Sequence, residues 1–504
     1  MFESASLGRK ESKQDFESEL PELRARLLTA QTSLPKTKSA VMIVVSGLDG
    51  AGKGDTLNRL HEWLDTRLVD TIVMGTPSDE ERERPHLWRF WRTLPGRGRI
   101  GLSFGSWYTA PFLSRVEAKV KESSFDAEMA RVAFLEQLLA RDGMVIVKFW
   151  FHLSKDGQRR RLKAIQGSKK DRWKLGKDDW KHYKAYDRIV RTAEHVIRLT
   201  DTAEARWFLV DAEDDRHREL AVLRILVEVL EAVVSSSATP KPVPPPTPAA
   251  ALARSGDALA GPARHRIDTI LDHVDLGTKA PAARDYRREL ARQQARLWKL
   301  TWEANRRKVS SVAVFEGWDA AGKGGCIRRM TWAMDARLYH VLSVAKPTDE
   351  EYARHYLWRF WRHIPRAGLV TIYDRSWYGR VLVEQVEGFA KESEWTRAYL
   401  EINDFERQLV THGTVVNKFW LHISPEVQLE RFKEREKIPW KKYKLTEEDW
   451  RNREKWRAYE LAVHDMVVRT STNEAPWNLV PACDKRYARL TVLKTFCDRL
   501  EAAL

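Results

Sequence analysis

The chain contains one long sequence pattern twice, separated by a constant 270 positions. The segment VVSGLDGAGKGD begins at Val44, and VFEGWDAAGKGG begins at Val314. The same spacing relates LWRFWR at 87–92 to 357–362, SWY at 106–108 to 376–378, and KFW at 148–150 to 418–420. Solenoid repeats are only about 20–45 residues long, so a unit of this length predicts the duplication of a whole domain.

The composition and the middle of the chain support a division into domains. The 504 residues are 43% hydrophobic and 31% charged, which is typical of globular proteins, and chains of this length usually fold as several domains. A Pro-rich segment followed by an Ala-rich stretch separates the two copies and is typical of an extended linker. The sequence therefore predicts domains at 1–234 and 263–504, joined by a linker at 235–262.

Each copy alternates apolar, strand-like runs with amphipathic, helix-like stretches. In the second copy, strands are predicted at 312–316, 369–373, 415–423 and 477–480, and helices at 323–338, 395–411, 425–436 and 446–469. Helices leading into the two cores are predicted at 14–31 and 284–307. Such alternation predicts parallel βαβ units with helices on both faces of a sheet. The predicted fold class is α/β, with two tandem P-loop kinase-like three-layer α/β/α domains, each with a parallel sheet and a helical lid.

The charge balance predicts an anionic partner. The formal net charge is +16, and nucleic acid, an anionic membrane surface and a polyanionic metabolite all stay open on charge alone. The three cysteines are widely spaced and form no disulfide or metal-ligand pattern, which favours a reducing compartment. The N-terminus has no apolar signal-peptide core, and no apolar run is long enough to cross a bilayer. We expect a cytoplasmic protein with no membrane partner.

A glycine-rich loop in the second copy predicts phosphate binding. Gly317-Trp-Asp319-Ala-Ala-Gly322-Lys323 follows a predicted strand and opens a helical stretch, which is the context that this motif requires. The glycines let backbone N–H groups approach phosphate oxygens, the helix N-terminus adds partial positive charge, and the lysine supplies a mobile cation. Because Gly324 replaces the usual hydroxyl residue, one magnesium ligand is missing, and the loop aspartate is its expected substitute.

A second carboxylate is expected at the end of a neighbouring strand. The apolar run LVTIY is followed by Asp374 and Arg375. In P-loop folds an aspartate at this position holds magnesium directly or through water, and the arginine could offset charge on the transferred group. A strand-terminal turn stabilised by an Asp–Arg pair is the alternative explanation.

The first copy lacks part of this set. It keeps the loop residues Asp49 and Lys53, but Phe104 and Gly105 occupy the positions of the strand-end aspartate and arginine. We therefore expect the first copy to be able to bind phosphates and to be catalytically degenerate.

A basic segment follows the strand predicted at 415–423, where nucleotide-kinase-like folds place a lid over the phosphates. A lid would supply charge and exclude water, whereas a solvated helix face is the simpler alternative. The repeated LWRFWR motif adds two arginines, and its tryptophans are expected in the core. The candidate phosphate-binding residues are Gly317, Gly322, Gly324, Arg359, Arg362, Arg431, Lys433, Arg435, Lys441 and Lys442.

Four stretches of the second copy resemble the polyphosphate kinase 2 family. They are GWDAAGKG at 317–324, KPTDEE at 346–351, DRSWYGR at 374–380, and TSTNEAPW at 470–477 with DKR at 484–486. The resemblance covers nearly all of both halves, and the tandem arrangement is similar to that of the two-domain members that act on AMP. It implies transfer of a phosphoryl group from inorganic polyphosphate to AMP, giving ADP, with Mg²⁺ as cofactor.

The same resemblance implies roles for individual residues. Asp319 would position the metal and help to activate the acceptor phosphate, and Lys323 would bind phosphate. Asp374 would bind magnesium, and Arg375 would stabilise the transferring group. The first copy departs from the family pattern at the two positions already named. ADP and GMP stay open as other acceptors, as do the direction of flux, the role of the first copy and self-association.

Two other functions fit parts of the sequence. An ATP-dependent nucleoside monophosphate kinase has a similar core, but it would carry Ser or Thr in place of Gly324. A non-catalytic P-loop protein that binds nucleic acid or another polyanion would explain the net charge. That second alternative leaves Asp319, Lys323 and Asp374 without a purpose, so nucleic acid is not the expected partner.

Overall fold

The computed structural model of the chain describes residues 2, 8–169, 172, 175–176, 178–236, 268–437 and 447–504. These residues form two compact units. The first comprises Met1–Pro77, Arg89–Ser255 and Tyr352–His355, and the second comprises Ser78–Trp88, Gly256–Glu351 and Tyr356–Leu504. The linker predicted at 235–262 lies almost entirely outside the described residues, so the boundaries predicted from the sequence stay predictions.

The first unit is built on a five-stranded parallel sheet. Its strands are β1 (Ala40–Gly47), β2 (Val69–Val73), β3 (Ile100–Phe104), β4 (Met144–His152) and β5 (Trp207–Asp211), in the order β2-β3-β1-β4-β5. All neighbouring pairs are parallel. The central strand β1 is buried from Ala40 to Val45. Each crossover between parallel neighbours needs a covering helix, which is why the sheet sits between helices.

The second unit repeats this topology. Its strands are β6 (Ser311–Gly317), β7 (Tyr339–Ser343), β8 (Val370–Asp374), β9 (Val415–His422) and β10 (Trp477–Pro481), in the order β10-β9-β6-β8-β7. Phe315 pairs with Asp374 in this sheet, and Val45 pairs with Phe104 in the first. The two sheets therefore share one register as well as one strand order, and the predicted α/β fold with two parallel sheets is confirmed.

Helices flank both sheets. Before residue 237 the α-helices are Lys13–Ser33, Lys53–Trp63, Asp79–Arg82, Trp88–Thr93, Thr109–Val116, Glu122–Arg141, Lys155–Gly167, Asp179–Lys184, Tyr186–Thr200 and Asp215–Ser236. After residue 267 they are Ala283–Arg307, Lys323–Thr331, Asp349–Tyr352, Trp358–Trp361, Val383–Val386, Glu392–Thr411, Pro425–Lys437, Glu447–Glu454, Trp456–Thr470 and Lys485–Ala502. Short 3₁₀ turns occupy Leu34–Lys36, Thr66–Leu68, Ile270–His273 and Trp377–Val381.

The elements predicted in the second copy differ from the structure at one edge strand, one helix end and one helix interruption. All four strands predicted in the second copy are present, but β7 was not predicted. It is an edge strand with no fully buried residue, so it lacks the apolar run that reveals a central strand. The helix predicted at 323–338 was too long, since it ends at Thr331 and leads through a turn into β7. The helix predicted at 446–469 is interrupted at Lys455, whose backbone leaves the helical region.

A buried ion pair ties the segment after β8 to the core of the second unit. Lys418 Nζ lies 2.7 Å from Glu406 Oε2, and the two side chains are 0% and 2% exposed. Lys418 also donates to Tyr378 Oη and to the carbonyl oxygen of Thr470, while Tyr378 Oη and Trp377 Nε1 donate to Glu406 Oε1. Buried charges are tolerated when they are paired and hydrogen-bonded in this way. The cluster therefore holds the residues that directly follow Asp374.

The first unit contains the same cluster at the same register. Lys148 Nζ lies 2.6 Å from Glu136 Oε2, with both side chains fully buried, and Tyr108 donates to Glu136. Burial lowers the pKa of Lys148, while the facing carboxylate acts against that shift. Both units have kept this support, although their strand-end residues differ.

Other sequence predictions can be compared directly with the structure. The tryptophans of the second LWRFWR motif, Trp358 and Trp361, are buried as predicted. All three cysteines are free. In the described parts of the chain, no helix combines the length and apolar content that crossing a bilayer requires.

We expect Lys418→Met to lower the free energy of unfolding of the second unit by about 3–5 kcal/mol, because it leaves a buried carboxylate without its cation. Lys299→Met is the matched control on the exposed face of a helix in the same unit, and it should change stability by no more than about 0.5 kcal/mol. Urea denaturation of the full-length protein measures both. A loss for Lys418→Met no larger than that of the control would contradict a supporting role for the cluster.

Candidate active site

The glycine-rich loop of the second unit lies at the carboxyl end of β6, and the helix that follows begins at Lys323. Gly317 has φ +146°, and a Cβ there would lie 2.6 Å from the Leu421 carbonyl oxygen. Gly322, the residue before the helix, has φ +112°. These two positions need glycine, since one approaches a neighbouring strand closely and the other is left-handed. The loop therefore turns tightly and directs the helix N-terminus towards the space above the sheet.

The loop lysine folds back over the loop. Lys323 Nζ donates to the carbonyl oxygens of Gly317 at 2.7 Å and of Trp318 at 3.3 Å. In the first unit, Lys53 Nζ makes the equivalent bonds to Gly47 at 2.7 Å and Leu48 at 3.1 Å. Both lysines thus place a cation beside a helix N-terminus, an arrangement that favours phosphate.

Asp319 is held by two side chains from other parts of the second unit. Its Oδ1 accepts a hydrogen bond from Arg375 at 3.3 Å, and its Oδ2 accepts one from Asn452 at 3.0 Å. The Gln428 side chain binds its backbone carbonyl. The Asp319 side chain is 14% exposed, so it is fixed in position but open to a ligand. Sequence reasoning identified Asp319 and Arg375 and missed Asn452, for which no motif gives a signal.

The strand-end pair occupies the neighbouring edge position. Asp374 closes β8 opposite Phe315 of β6, and Arg375 follows it. Arg375 has a left-handed backbone, with φ +64°, and its N–H donates to the Phe315 carbonyl oxygen. Non-glycine residues in this conformation are uncommon and often lie at functional sites, where the surrounding structure maintains the strain. The arginine is thus kept beside the loop at a conformational cost.

A buried carboxyl group lies between the loop and the strand end. Glu316 precedes the first loop glycine, is 5% exposed, and accepts a hydrogen bond from Ser376 Oγ at 2.8 Å. Burial raises its pKa, and the nearby Lys323 and Arg375 act against that shift. Sequence reasoning missed this residue because it stands inside an apolar strand; its replacement by Ser46 in the first copy was the available signal.

The acidic residues fit a magnesium ion that is completed by substrate. Magnesium usually takes one or two carboxylates together with phosphate oxygens and waters. Asp319 and Asp374 would supply the carboxylates, and no group of three or more metal-binding side chains occurs in the described part of the chain. A Cβ at Gly324 would have no heavy atom within 4 Å. A serine or threonine side chain would therefore find space there, so crowding does not explain the glycine.

The basic residues predicted to bind phosphate lie in several environments. The guanidinium of Arg431 is buried and donates to the carbonyl oxygens of Ala320, Ala321, Ala482 and Cys483, so it braces the loop. Lys433 is exposed and Arg435 is half-buried. Lys441 and Lys442 lie outside the described residues, and with them the second half of the predicted lid.

The two arginines of the LWRFWR motif contact the neighbouring 345–351 segment. Arg359 donates to the Ala345 carbonyl oxygen at 3.0 Å and lies 3.4 Å from Glu351. Arg362 lies over the Trp358 ring and 3.5 Å from Glu350. Their contact with phosphate stays a prediction.

The first unit differs at the strand end and around its loop aspartate. Phe104 takes the register position of Asp374 and is 42% exposed, and Gly105 has φ +79°. Asp49 pairs with Lys53 at 3.3 Å and with His182 at 2.6 Å. Burial acts to raise the pKa of Asp49, but these two partners outweigh it and lower the pKa to about 2. The first unit therefore has a loop lysine and one carboxylate, without the second carboxylate or the arginine.

The matches to known proteins follow this two-unit organisation. The family model described as polyphosphate kinase 2 matches residues 10–237 and 281–504. The chain belongs to the polyphosphate kinase 2 family. It is 49% identical to a polyphosphate:AMP phosphotransferase of Pseudomonas aeruginosa, over 100% of this chain and 99% of that protein. A protein of the same name from Acinetobacter johnsonii is 36% identical over 95% and 96% of the two chains.

A solved structure extends the similarity to the fold. A polyphosphate kinase 2 crystal structure from Pseudomonas aeruginosa superposes with a TM-score of 0.87 at 47% identity, covering 100% of this chain and 99% of that one. The family predicted from the sequence motifs is therefore confirmed.

The left-handed conformation at Arg375 leads to a stability prediction. Arg375→Gly and Arg375→Ala remove the same contact with Asp319, but only glycine adopts φ +64° without strain. We expect the glycine variant to be more stable than the alanine variant by about 1 kcal/mol. Urea denaturation of the two variants compares them directly. Equal stabilities would mean that no strain is maintained at this position.

Proposed function

We propose that the chain transfers a phosphoryl group from inorganic polyphosphate to AMP, forming ADP, and that the reaction takes place in the second unit with Mg²⁺. The observation that supports this best is the arrangement around the ends of β6 and β8. Asp319, Lys323, Asp374 and Arg375 belong to these two adjoining edges, and an ion pair already joins two of them. The names of the full-length relatives support polyphosphate as donor and AMP as acceptor.

The reaction exchanges one phosphorus–oxygen bond for another. An oxygen of the AMP phosphate forms a bond to the terminal phosphorus of polyphosphate, and the bond from that phosphorus to its bridging oxygen breaks. The leaving group is polyphosphate shortened by one unit. Such transfer needs little covalent participation by the protein and depends on positioning and charge neutralisation.

Each residue of the set has a role in this scheme. Lys323 and the N–H groups of the helix N-terminus bind phosphate oxygens. The Arg375 guanidinium donates a hydrogen bond to Asp319 and would offset the charge that develops on the transferred group. Asp319 and Asp374 would hold Mg²⁺, which when bound neutralises phosphate charge and orients the reacting groups. Arg431 maintains the shape of the loop through its four carbonyl contacts.

The alternatives concern the acceptor, the donor and whether the protein catalyses a reaction at all. ADP and GMP are other acceptors within the same chemistry. An ATP-dependent nucleoside monophosphate kinase is disfavoured by Gly324, and a non-catalytic polyanion binder is disfavoured by two loop-edge carboxylates that would repel a polyanion without a metal. The net charge of +16 suits a long phosphate chain.

The activity assay follows AMP conversion to ADP with long-chain polyphosphate and Mg²⁺ as the only other reagents. We expect rapid conversion, and a much slower reaction when ATP replaces polyphosphate. Lys323→Ala should reduce kcat by about a hundred- to a thousandfold, because it removes a transition-state contact. Lys53→Ala is the matched control in the first unit and should leave kcat within about twofold, since Phe104 replaces the second carboxylate there.

Different failures of this assay have different meanings. Good activity with ATP and none with polyphosphate would overturn the donor assignment. Equal losses in the two lysine variants would overturn the assignment of catalysis to the second unit. If AMP is converted to ADP with neither polyphosphate nor ATP, the proposed function itself is overturned.

A further inference from the structure

The first unit contains a cavity of about 260 Å³ beside its glycine-rich loop. One end is polar and is formed by Asp49, Lys53 and His182. The remaining walls are apolar and include Phe104, which takes the place of the catalytic unit's strand-end aspartate. Catalysis as proposed above makes no use of this space.

Some of the positions that line the cavity carry smaller side chains in the first unit than in the second. Leu48 stands where the second unit has Trp318, and Ala193 stands where it has Val463. Trp318 is buried, stacks on Trp456 with 3.6 Å between ring centroids, and packs against Trp420. Trp420 is the equivalent of Trp150, which forms a wall of the cavity.

Two further replacements enlarge the same region. Ile189 stands at the position of Tyr459, which contacts the Trp318 ring in the second unit, and Ser46 stands at the position of Glu316. Ile189 and Ser46 both line the cavity. The four smaller side chains all line the same cavity, and together they leave space that larger side chains occupy in the second unit.

The polar end is suited to one small anionic group. Lys53 lies at the N-terminus of the helix Lys53–Trp63, where phosphate is favoured. The bond to Asp49 raises the pKa of His182 despite opposing burial, so the imidazole carries positive charge over a wider pH range. With Asp49 ionised, these three groups sum to one net positive charge when His182 is protonated.

A long phosphate chain does not match these walls. The positions of Arg375 and Arg380 are Gly105 and Ala110 in the first unit, so two cations that could follow a polyanion are gone. The walls instead offer aromatic and aliphatic surface, including Phe112 and Trp150. Aromatic and apolar walls with a few polar groups at one end are typical of pockets that bind a ring system. The volume lies just below the about 300–1,000 Å³ of small-molecule sites.

We propose that the first unit binds a purine nucleoside monophosphate without turning it over. The base occupies the apolar part of the cavity between Trp150 and Phe104, and the phosphate binds Lys53 and the adjacent helix N-terminus. Turnover is absent because the second carboxylate and its arginine are missing. The choice of AMP as the probe rests on the proposed function of the second unit, whereas the site itself does not.

Equilibrium dialysis of the full-length protein with radiolabelled AMP tests this site by stoichiometry. We expect two AMP molecules per chain for the wild type and one for Leu48→Trp, which introduces the side chain that the second unit carries at this position. Leu199→Trp is the matched control, because it places the same side chain at an exposed position of the same unit. The control should bind as the wild type does.

The same measurement separates failure of this site from failure of the proposed function. If AMP is not a substrate, the wild type binds one molecule and Leu48→Trp binds none, and the first-unit site still stands. An unchanged stoichiometry in Leu48→Trp overturns the site. Lys53→Ala should weaken AMP binding to the first unit by about ten- to a hundredfold, because it removes a charged hydrogen bond. Adenosine should bind the first unit more weakly than AMP does, and tripolyphosphate should not compete with AMP for the first-unit site.

A photolabelling measurement on the wild type removes any dependence on the folding of the variants. Illumination with 8-azido-AMP should label peptides of the first unit that line the cavity, between residues 182 and 197 or around Phe112, and AMP should protect them. Labelling confined to the second unit would overturn the proposal.

Discussion

The register between the two central parallel strands determines which residues can meet above each sheet. In the second unit, β6 and β8 align so that Phe315 faces Asp374, which sets the strand-end pair beside the loop that starts at Gly317. The first unit has the same alignment, with Val45 opposite Phe104. Because neighbouring parallel strands end at one edge, a single residue at that position decides whether the edge carries a carboxylate or an apolar ring. The aspartate and the lysine of the glycine-rich loop are the same in both units, so this strand-end position is one of the main differences between the two edges.

The buried lysine–glutamate pair holds the segment that follows β8 at this edge of the sheet. Lys418 and Glu406 bind Tyr378, four residues beyond Asp374, and the equivalent bonds are present around Lys148. In the second unit Arg375, which lies between Asp374 and this cluster in the sequence, has a left-handed backbone, and its guanidinium is hydrogen-bonded to Asp319. The first unit has glycine there and carries no such strain. The support is present in both units, whereas the strand-end carboxylate and the left-handed arginine are found only in the unit where catalysis is proposed.

The parts of the molecule with a strong local signal could be predicted from the sequence. The loop residues have a motif, the strand before Asp374 is a buried apolar run, and the constant spacing of the two copies located Phe104 at the register position of Asp374. The edge strand Tyr339–Ser343 has no such run and was missed. Asn452 could not be found, because its bond to Asp319 joins segments that are 133 positions apart in the sequence. The burial of Arg431 beneath the loop also depends on the tertiary fold. From the sequence alone, a run of basic residues predicts a solvent-exposed helix face.

The most direct test of this asymmetry is the position of bound metal in crystals of the full-length protein grown with Mn²⁺ and tripolyphosphate. Manganese replaces magnesium at oxygen-rich sites and is located by its anomalous scattering. We expect one strong anomalous peak per chain, between Asp319 and Asp374 of the second unit, and none beside Asp49 and Phe104. Peaks of equal height in both units, or a single peak in the first, would contradict the assignment of catalysis to the second unit.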